Sequence, residues 1–226
     1  GLSQNDLLKN QTITMESCVF DNTGGAGFVP NKSEFVLVEN CTFNHSGSSV
    51  DPRMWKRGSG MWPFDCRNVV AQHNHFLNAH GPIDSYGAHI DYGNENVAFQ
   101  YNLSYNNEGG FVEILGDNIN CGYRYNISIN DGYRIDPDGV HNGRTYNVSD
   151  YCGANNGGCP SMGSFIYNNT IFIGDTIHPE IRIKPDIGEL HCYNNLLYCT
   201  PTGEELPCIV DVETNDLYFS HNLYFD

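Results

Sequence analysis

The chain has 226 residues, enough to bury a substantial core as one large β-domain or two ordinary ones. Its 27 acidic against 11 basic side chains leave a net charge of −16, which rules against a nucleic-acid partner because nothing would neutralise the phosphates. Gly, Tyr, Phe and Asn-rich turns recur, no segment carries a sustained helical apolar stripe, and no apolar run reaches the roughly 20 residues of a membrane span, so an all-β protein is expected.

The opening GLSQNDLLKN lacks the apolar core of a signal peptide and begins with Gly, as expected of a processed chain or a segment of a longer one. TITMESCVF (12–20) is the first of eight segments sharing one frame, with a polar corner residue sixth and apolar positions on both sides. The others are FVLVENCTF (35–43), VVAQHNHFL (69–77), VAFQYNLSY (97–105), CGYRYNISI (121–129), SFIYNNTIF (164–172), LHCYNNLLY (190–198) and LYFSHNLYF (217–225). The corner residues are Ser17, Asn40, Asn74, Asn102, Asn126, Asn169, Asn195 and Asn222, spaced by 23 to 43 residues. Such unequal spacing fits a fixed strand unit with loops of varying length, whereas helical repeats would vary less. Between the corners lie further strand-like runs: GFVP (27–30), MWPFD (61–65), AHIDY (88–92), FVEIL (111–115), YRID (133–136), EIRIK (180–184) and IVDVE (209–213). The longest spacing, before Asn169, is ascribed to a loop insertion over 137–163.

Two or three short strands per turn of about 22 to 30 residues, with Asn at one corner, resemble the right-handed parallel β-helix of the pectate-lyase-like superfamily over nearly the whole chain. The resemblance implies a single-domain, all-β, right-handed parallel β-helix of about seven to eight coils across residues 1–226, forming part or all of the repeat region of a longer protein. Coils stacked at the strand spacing of about 4.8 Å would align the corner Asn residues into a ladder whose amides bond one another. Of the eight N-x-S/T sequons, those at Asn40, Asn102 and Asn126 fall on that ladder and are expected to be buried and unmodified. Asn168, one residue before its corner, stays open, because a slip of one would exchange it with Asn169. Asn10, Asn31, Asn44 and Asn147 lie off the ladder and are the expected glycosylation sites.

Nine cysteines beside eight sequons point to an oxidising, extracellular setting. Cys152 and Cys159 bracket the Gly-rich hairpin CGANNGGC and are an expected disulfide. Cys18 and Cys41 each follow a corner residue one coil apart, within disulfide reach of about 4.4 to 6.8 Å, with two inert thiols as the alternative. Cys192, Cys199 and Cys208 supply a further expected bridge. No C-x-x-C pair occurs and no His stands at ligand spacing beside a Cys, so no metal site is expected.

On the runs between corners, strand alternation turns His89 and Asp91, Glu113, Arg134 and Asp136, Arg182 and Lys184, and Asp211 and Glu213 outward. In polysaccharide-active members of the superfamily the substrate lies on such a face, so the resemblance implies a glycan-cleaving site. Asp91, Glu113 and Asp136 are the candidate catalytic carboxyls, since glycoside hydrolysis uses a pair about 5 to 5.5 Å apart for retention or about 6.5 to 9.5 Å apart for inversion. Counting from Asn102 and Asn126 offsets Asp91 from Glu113 by two residues, about 8 Å; aligning Gly93 with Gly116 would turn Glu113 to the other face. His89, Arg134, Arg182, Lys184 and Trp62 are the candidate substrate-binding residues. Trp62 joins Trp55 as a sugar-stacking platform, with core packing as its alternative.

A lyase is the other chemistry, with Arg134, Arg182 and Lys184 neutralising a uronate. Calcium is then the one cofactor that the resemblance allows. DPDG (136–139) offers it oxygens, though a turn explains the same residues more simply. Charged residues on an exposed sheet can also simply pair across strands. The repeat runs to both ends of the sequence without a cap, which suggests copies of the chain, or adjoining domains, covering open coils. A non-catalytic unit of an extracellular fibre and a glycan-binding module are therefore the alternative functions.

Overall fold

The computed structural model describes residues 10–48, 56–174, 177–200, 209–210 and 216–225. Trp55, Cys208, Asp211 and Glu213 lie outside them. Among the described residues the structure is all-β without helices, and so has no helix long and apolar enough to cross a membrane. Two eight-stranded sheets and one four-stranded sheet run along the molecule, every strand pairing parallel to its neighbour.

One turn of the chain shows how the sequence produces this. Strand Glu95–Gln100 lies in the first sheet, Leu103–Tyr105 in the second and Gly110–Ile114 in the third. Ile119–Arg124 then returns to the first sheet, with Ile119 paired to Glu95. The architecture is that of a β-helix-like coil. Alternation sends Val97 and Phe99, Val112 and Ile114, and Cys121 and Tyr123 to the interior. Equivalent positions stack between turns: the Phe20 and Phe43 rings lie 4.8 Å apart and nearly parallel, and Phe43 and Phe76 follow at 5.0 Å.

The first two sheets meet at a corner where one residue takes the left-handed conformation and the next faces inward. His73, Tyr101, Tyr125, Asn168 and Asn194 hold the first place with φ between 54° and 57°. Asn74, Asn102, Asn126, Asn169, Asn195 and Asn222 hold the second. Each amide donates to the carbonyl oxygen of the next at 2.9–3.1 Å.

In the first two turns the sequence frame is one residue out of step. Ser17 and Asn40 take the left-handed place, each at φ 54°, and it is Cys18 and Cys41 that stand in the inward row. Cys41 N–H bonds Asn74 Oδ1 at 2.9 Å. Asn40, expected to be buried, is exposed. The anticipated Cys18–Cys41 bridge is not formed. The two remain thiols, with Cys18 N–H donating to Cys41 Sγ at 3.4 Å, so the sulfur fills the place of an Asn oxygen.

The other corners carry similar rows. Asn107 Nδ2 bonds Asp131 Oδ1 at 2.8 Å. Cys66 N–H bonds Asn94 Oδ1, Asn94 N–H bonds Asn118 Oδ1, and Asn118 N–H bonds Ser161 Oγ, at 2.9, 2.9 and 3.1 Å.

The span 137–163 is more than a loop. Arg144–Val148 is a strand of the third sheet with Tyr146 fully buried, because this stretch completes a turn that would otherwise leave the sheet broken. Beyond it Cys152 and Cys159 form a disulfide with Cα atoms 5.9 Å apart. Closing so short a loop is worth roughly 2 kcal/mol, so the C152S/C159S pair of changes is expected to lower unfolding stability by about that much in a urea titration.

Candidate active site

The four-stranded sheet stops short of the N-terminal turns, but isolated bridges continue it through the segments around Trp62 and His89, joining Met61 to Ala88 and Ile90 to Ile114. This register sets the outward side chains in rows. Trp62, His89, Glu113, Asn147 and Arg182 form one, and Asp91 and Lys184 belong to the row two residues on. Together with the loops 81–86 and 140–144 they line a cleft of about 890 Å³. Asp91 is thus offset from Glu113 by two residues on an adjacent strand, about 8 Å between Cα atoms. The alternative alignment of Gly93 with Gly116 is not adopted.

The row is tightly cross-bonded. The His89 ring stacks on Trp62 at 5.4 Å, meets Tyr86 edge-on at 6.4 Å, and has Nδ1 2.9 Å from Ser59 Oγ and 3.6 Å from Glu113 Oε2. Burial, with the Arg57 charge adding to it, pushes His89 down to about 3, leaving a neutral imidazole. Glu113 Oε1 accepts a hydrogen bond from Asn147 Nδ2 at 2.7 Å. Burial and then the Asp84 carboxylate push Glu113 up to about 8, against the opposing Asn147 bond.

Asp91 Oδ1 accepts Tyr92 N–H at 2.8 Å. Burial pushes Asp91 up to about 6, with the Tyr92 bond and Arg57 opposing and Asp84 and Asp65 reinforcing. Its backbone carbonyl is held by the amides of Asn94 and Asn118 at 2.6 and 2.9 Å, so the third corner row fixes where this carboxyl sits. Asp84, 3.6 Å from Arg57, is raised by burial against the pull of Arg57 and Arg134. Three carboxyls of heightened proton affinity therefore share one cleft.

Of the residues singled out from sequence, Asp91, Glu113, His89, Arg134, Arg182, Lys184 and Trp62 line this cleft. Asp136 does not. It lies outside on a turn, Oδ2 accepting His141 N–H at 2.7 Å and Oδ1 accepting Asp138 N–H at 3.3 Å, which holds its carboxyl below the usual value. DPDG is thus a turn stabilised by its own first side chain. Arg134 serves as a cross-link, its guanidinium bonded to the carbonyl oxygens of Gly81, Ile83 and His141 and to Ser85 Oγ. His89 already takes one face of Trp62, which limits it as a sugar platform.

Asn147, expected to carry a glycan, is a buried part of the cleft floor, and the nitrogen that a glycan would need is bonded to Glu113. Asn10 and Asn31 are exposed, and Asn44 is half-buried with its amide on Asp21 at 2.8 Å. Sequence reasoning missed Asp84, Arg57, Tyr86 and Arg144. The signal for Asp84 was the doubled Ile-Asp at 83–84 and 90–91, which brackets the stretch lining the cleft.

No protein-family model matches the chain. A lacto-N-biosidase of Bifidobacterium longum subsp. longum is 32% identical to it over 122 residues, 51% of this chain and 6% of that protein, so the chain spans only a small part of this curated relative. A solved GH136 lacto-N-biosidase from Eubacterium ramulus aligns with a TM-score of 0.54 and 20% identity over 80% of this chain and 27% of that one. An alginate lyase from Paenibacillus sp. str. FPU-7 aligns with a TM-score of 0.63 and 11% identity over 94% of this chain and 72% of that one. These structural likenesses show a shared β-helix-type fold.

Proposed function

We propose that this chain is the glycan-cleaving part of an extracellular enzyme, a right-handed β-helix of seven to eight coils that hydrolyses a glycosidic bond with the carboxyls of its cleft. The gathering of Asp84, Asp91 and Glu113 in one cleft, each with raised proton affinity, carries the reading. Glu113, protonated at neutral pH, donates a proton to the leaving oxygen. Asp91, ionised above about pH 6, acts on the sugar carbon directly or through water, and Asp84 raises the proton affinity of both. The lacto-N-biosidase similarity supports hydrolysis, and the disulfide suits an extracellular setting. Glycans would then be carried at exposed Asn10 and Asn31.

Incubating the protein with a panel of oligosaccharides and polysaccharides and following reducing ends tests this. The expected result is release of sugar with a bell-shaped pH profile whose acidic limb lies near pH 6. Unsaturated products would select elimination, the reading that the cleft cations favour. Absence of turnover on every glycan would overturn the enzyme reading in favour of a binding or structural unit.

A further inference from the structure

The distribution of charge around the cleft specifies more than the reaction. Lys56, Arg57, Arg134, Arg144, Arg182 and Lys184 all line it, six of the 11 basic side chains of a chain whose net charge is −16. Three acidic residues share that lining, and their protons are held more tightly than usual. The rest of the chain carries five basic against 24 acidic side chains. A cleft positive within so negative a molecule focuses the field on whatever enters it.

Not all of that charge is free to act on a ligand. Arg134 is tied to backbone carbonyls, Arg144 pairs with Glu180 at 3.4 Å, Arg57 sits 3.6 Å from Asp84, and Arg182 is also engaged within the protein. Lys184 differs. It is half-buried in the cleft wall, on the row of Asp91 and beside Arg182, and among the described residues no carboxylate pairs with it. Two strand steps separate the Arg182 row position from Glu113, about 10 Å, and three separate Lys184 from Asp91, about 14 Å. This is too far to touch the bond being cut and near enough to meet a neighbouring sugar along the cleft.

Resting on the glycan-cleaving reading, we propose that the cleft takes an acidic glycan, and that Lys184 with Arg182 forms a subsite for a carboxylate or sulfate group on a sugar beyond the point of cleavage. The chain's overall negative charge would repel such a polymer everywhere except here, so the cleft supplies both attraction and orientation. At the other end exposed Lys56 extends the same attraction toward the opposite side of the carboxyls.

The test compares matched oligosaccharides that are neutral, carboxylated or sulfated, measuring both turnover and equilibrium binding with the wild-type protein and Lys184→Gln. Expected is a preference of at least about tenfold in kcat/KM for one acidic series. This preference should weaken as salt rises, and Lys184→Gln should raise KM for that series by about tenfold with kcat little changed, as loss of a remote binding group would. Whether the carboxylated or the sulfated series responds identifies the group. Equal or better turnover of neutral glycans, unaffected by Lys184→Gln, would overturn the acidic subsite while leaving glycan cleavage standing. Salt-sensitive binding of acidic glycans without any turnover would support the subsite and overturn cleavage. No binding of acidic glycans at low salt would overturn the subsite whatever else is cleaved.

Discussion

Glu113→Gln is expected to lower turnover of the cognate glycan by at least about a thousandfold and, at the same time, to make the protein more stable at pH 8. Gln reproduces the shape of the protonated side chain and keeps the oxygen that receives Asn147 Nδ2, so the cleft should not collapse. What it loses is the proton to give. The stability gain follows from linkage. Folding raises Glu113 from its ordinary 4.5 to about 8, so across that window the native state binds the proton more tightly than the unfolded chain. The native state therefore loses stability as pH climbs from about 4.5 to about 8, and the neutral Gln does not. A shift of that size corresponds to roughly 2 to 4 kcal/mol once relaxation of the site is allowed for, several degrees in melting temperature. Near pH 4 wild type and variant should melt together. His89 gives the opposite slope in both proteins, because a depressed imidazole costs stability as pH falls below about 6.5, and it cancels in the comparison. Melting curves at pH 4 and pH 8 with turnover at pH 6 to 7 decide the matter. A variant less stable than wild type at pH 8 would make Glu113 a structural residue.

The repeat was visible in sequence because the same physical need recurs every turn: an inward amide that bonds the turn before and the turn after. It was misframed at Ser17 and Asn40 for a reason of the same kind. Asn also tolerates the left-handed conformation next to the inward row, and the Cys residues actually in that row give no polar signal. Alternation alone placed Asp91 and Glu113 on the cleft face, since regular strands enforce it. It failed for Asp136, because YRID looks like a strand while Asp136 bonds the backbone of a following turn. It was silent for Asp84, which sits in an irregular stretch joined to its neighbour by a single bridge to Arg57. Asn147 was misread because its sequon is a local pattern, whereas its role depends on Glu113, 34 residues away.

Asn126→Ala should cost more stability than any change on the cleft face, about 3 to 5 kcal/mol. The Asn126 side-chain oxygen accepts from the backbone N–H and Nδ2 of Asn102, each at 3.0 Å, and its amide donates to Asn169 Oδ1 and Phe99 O at 3.0 and 2.9 Å. With the side chain only 3% exposed, Ala strips the Asn102 N–H of its partner where water cannot reach it and takes one bond each from Asn102 Nδ2, which keeps Ala71 O, from Asn169 Oδ1, which keeps Asn126 N–H, and from Phe99 O. Asn106→Ala removes one bond to Asn78, at 2.9 Å, from a half-buried outer position and sets an Ala at φ 55°, so the two together should cost about 2 kcal/mol. The contrast between Asn126→Asp and the natural Asp131 tests whether direction of bonding, rather than mere polarity, is what the row requires. Asp131 receives donors only, from Asn107 N–H, Asn107 Nδ2 and Ser128 Oγ, and so tolerates burial even though this pushes it up to about 6. Asn126 must give as well as receive. An Asp there would point an acceptor at Asn169 Oδ1 and Phe99 O, so at pH 7 Asn126→Asp should unfold in urea at least as readily as Asn126→Ala, with partial recovery near pH 4 as the carboxyl gains a proton to donate. Equal stability of Asn126→Asp and wild type at pH 7 would mean that the row needs only an acceptor. The same use of Nδ2 engages the nitrogen that a sugar would need at the sequons of Asn102 and Asn126, where it already holds two turns together.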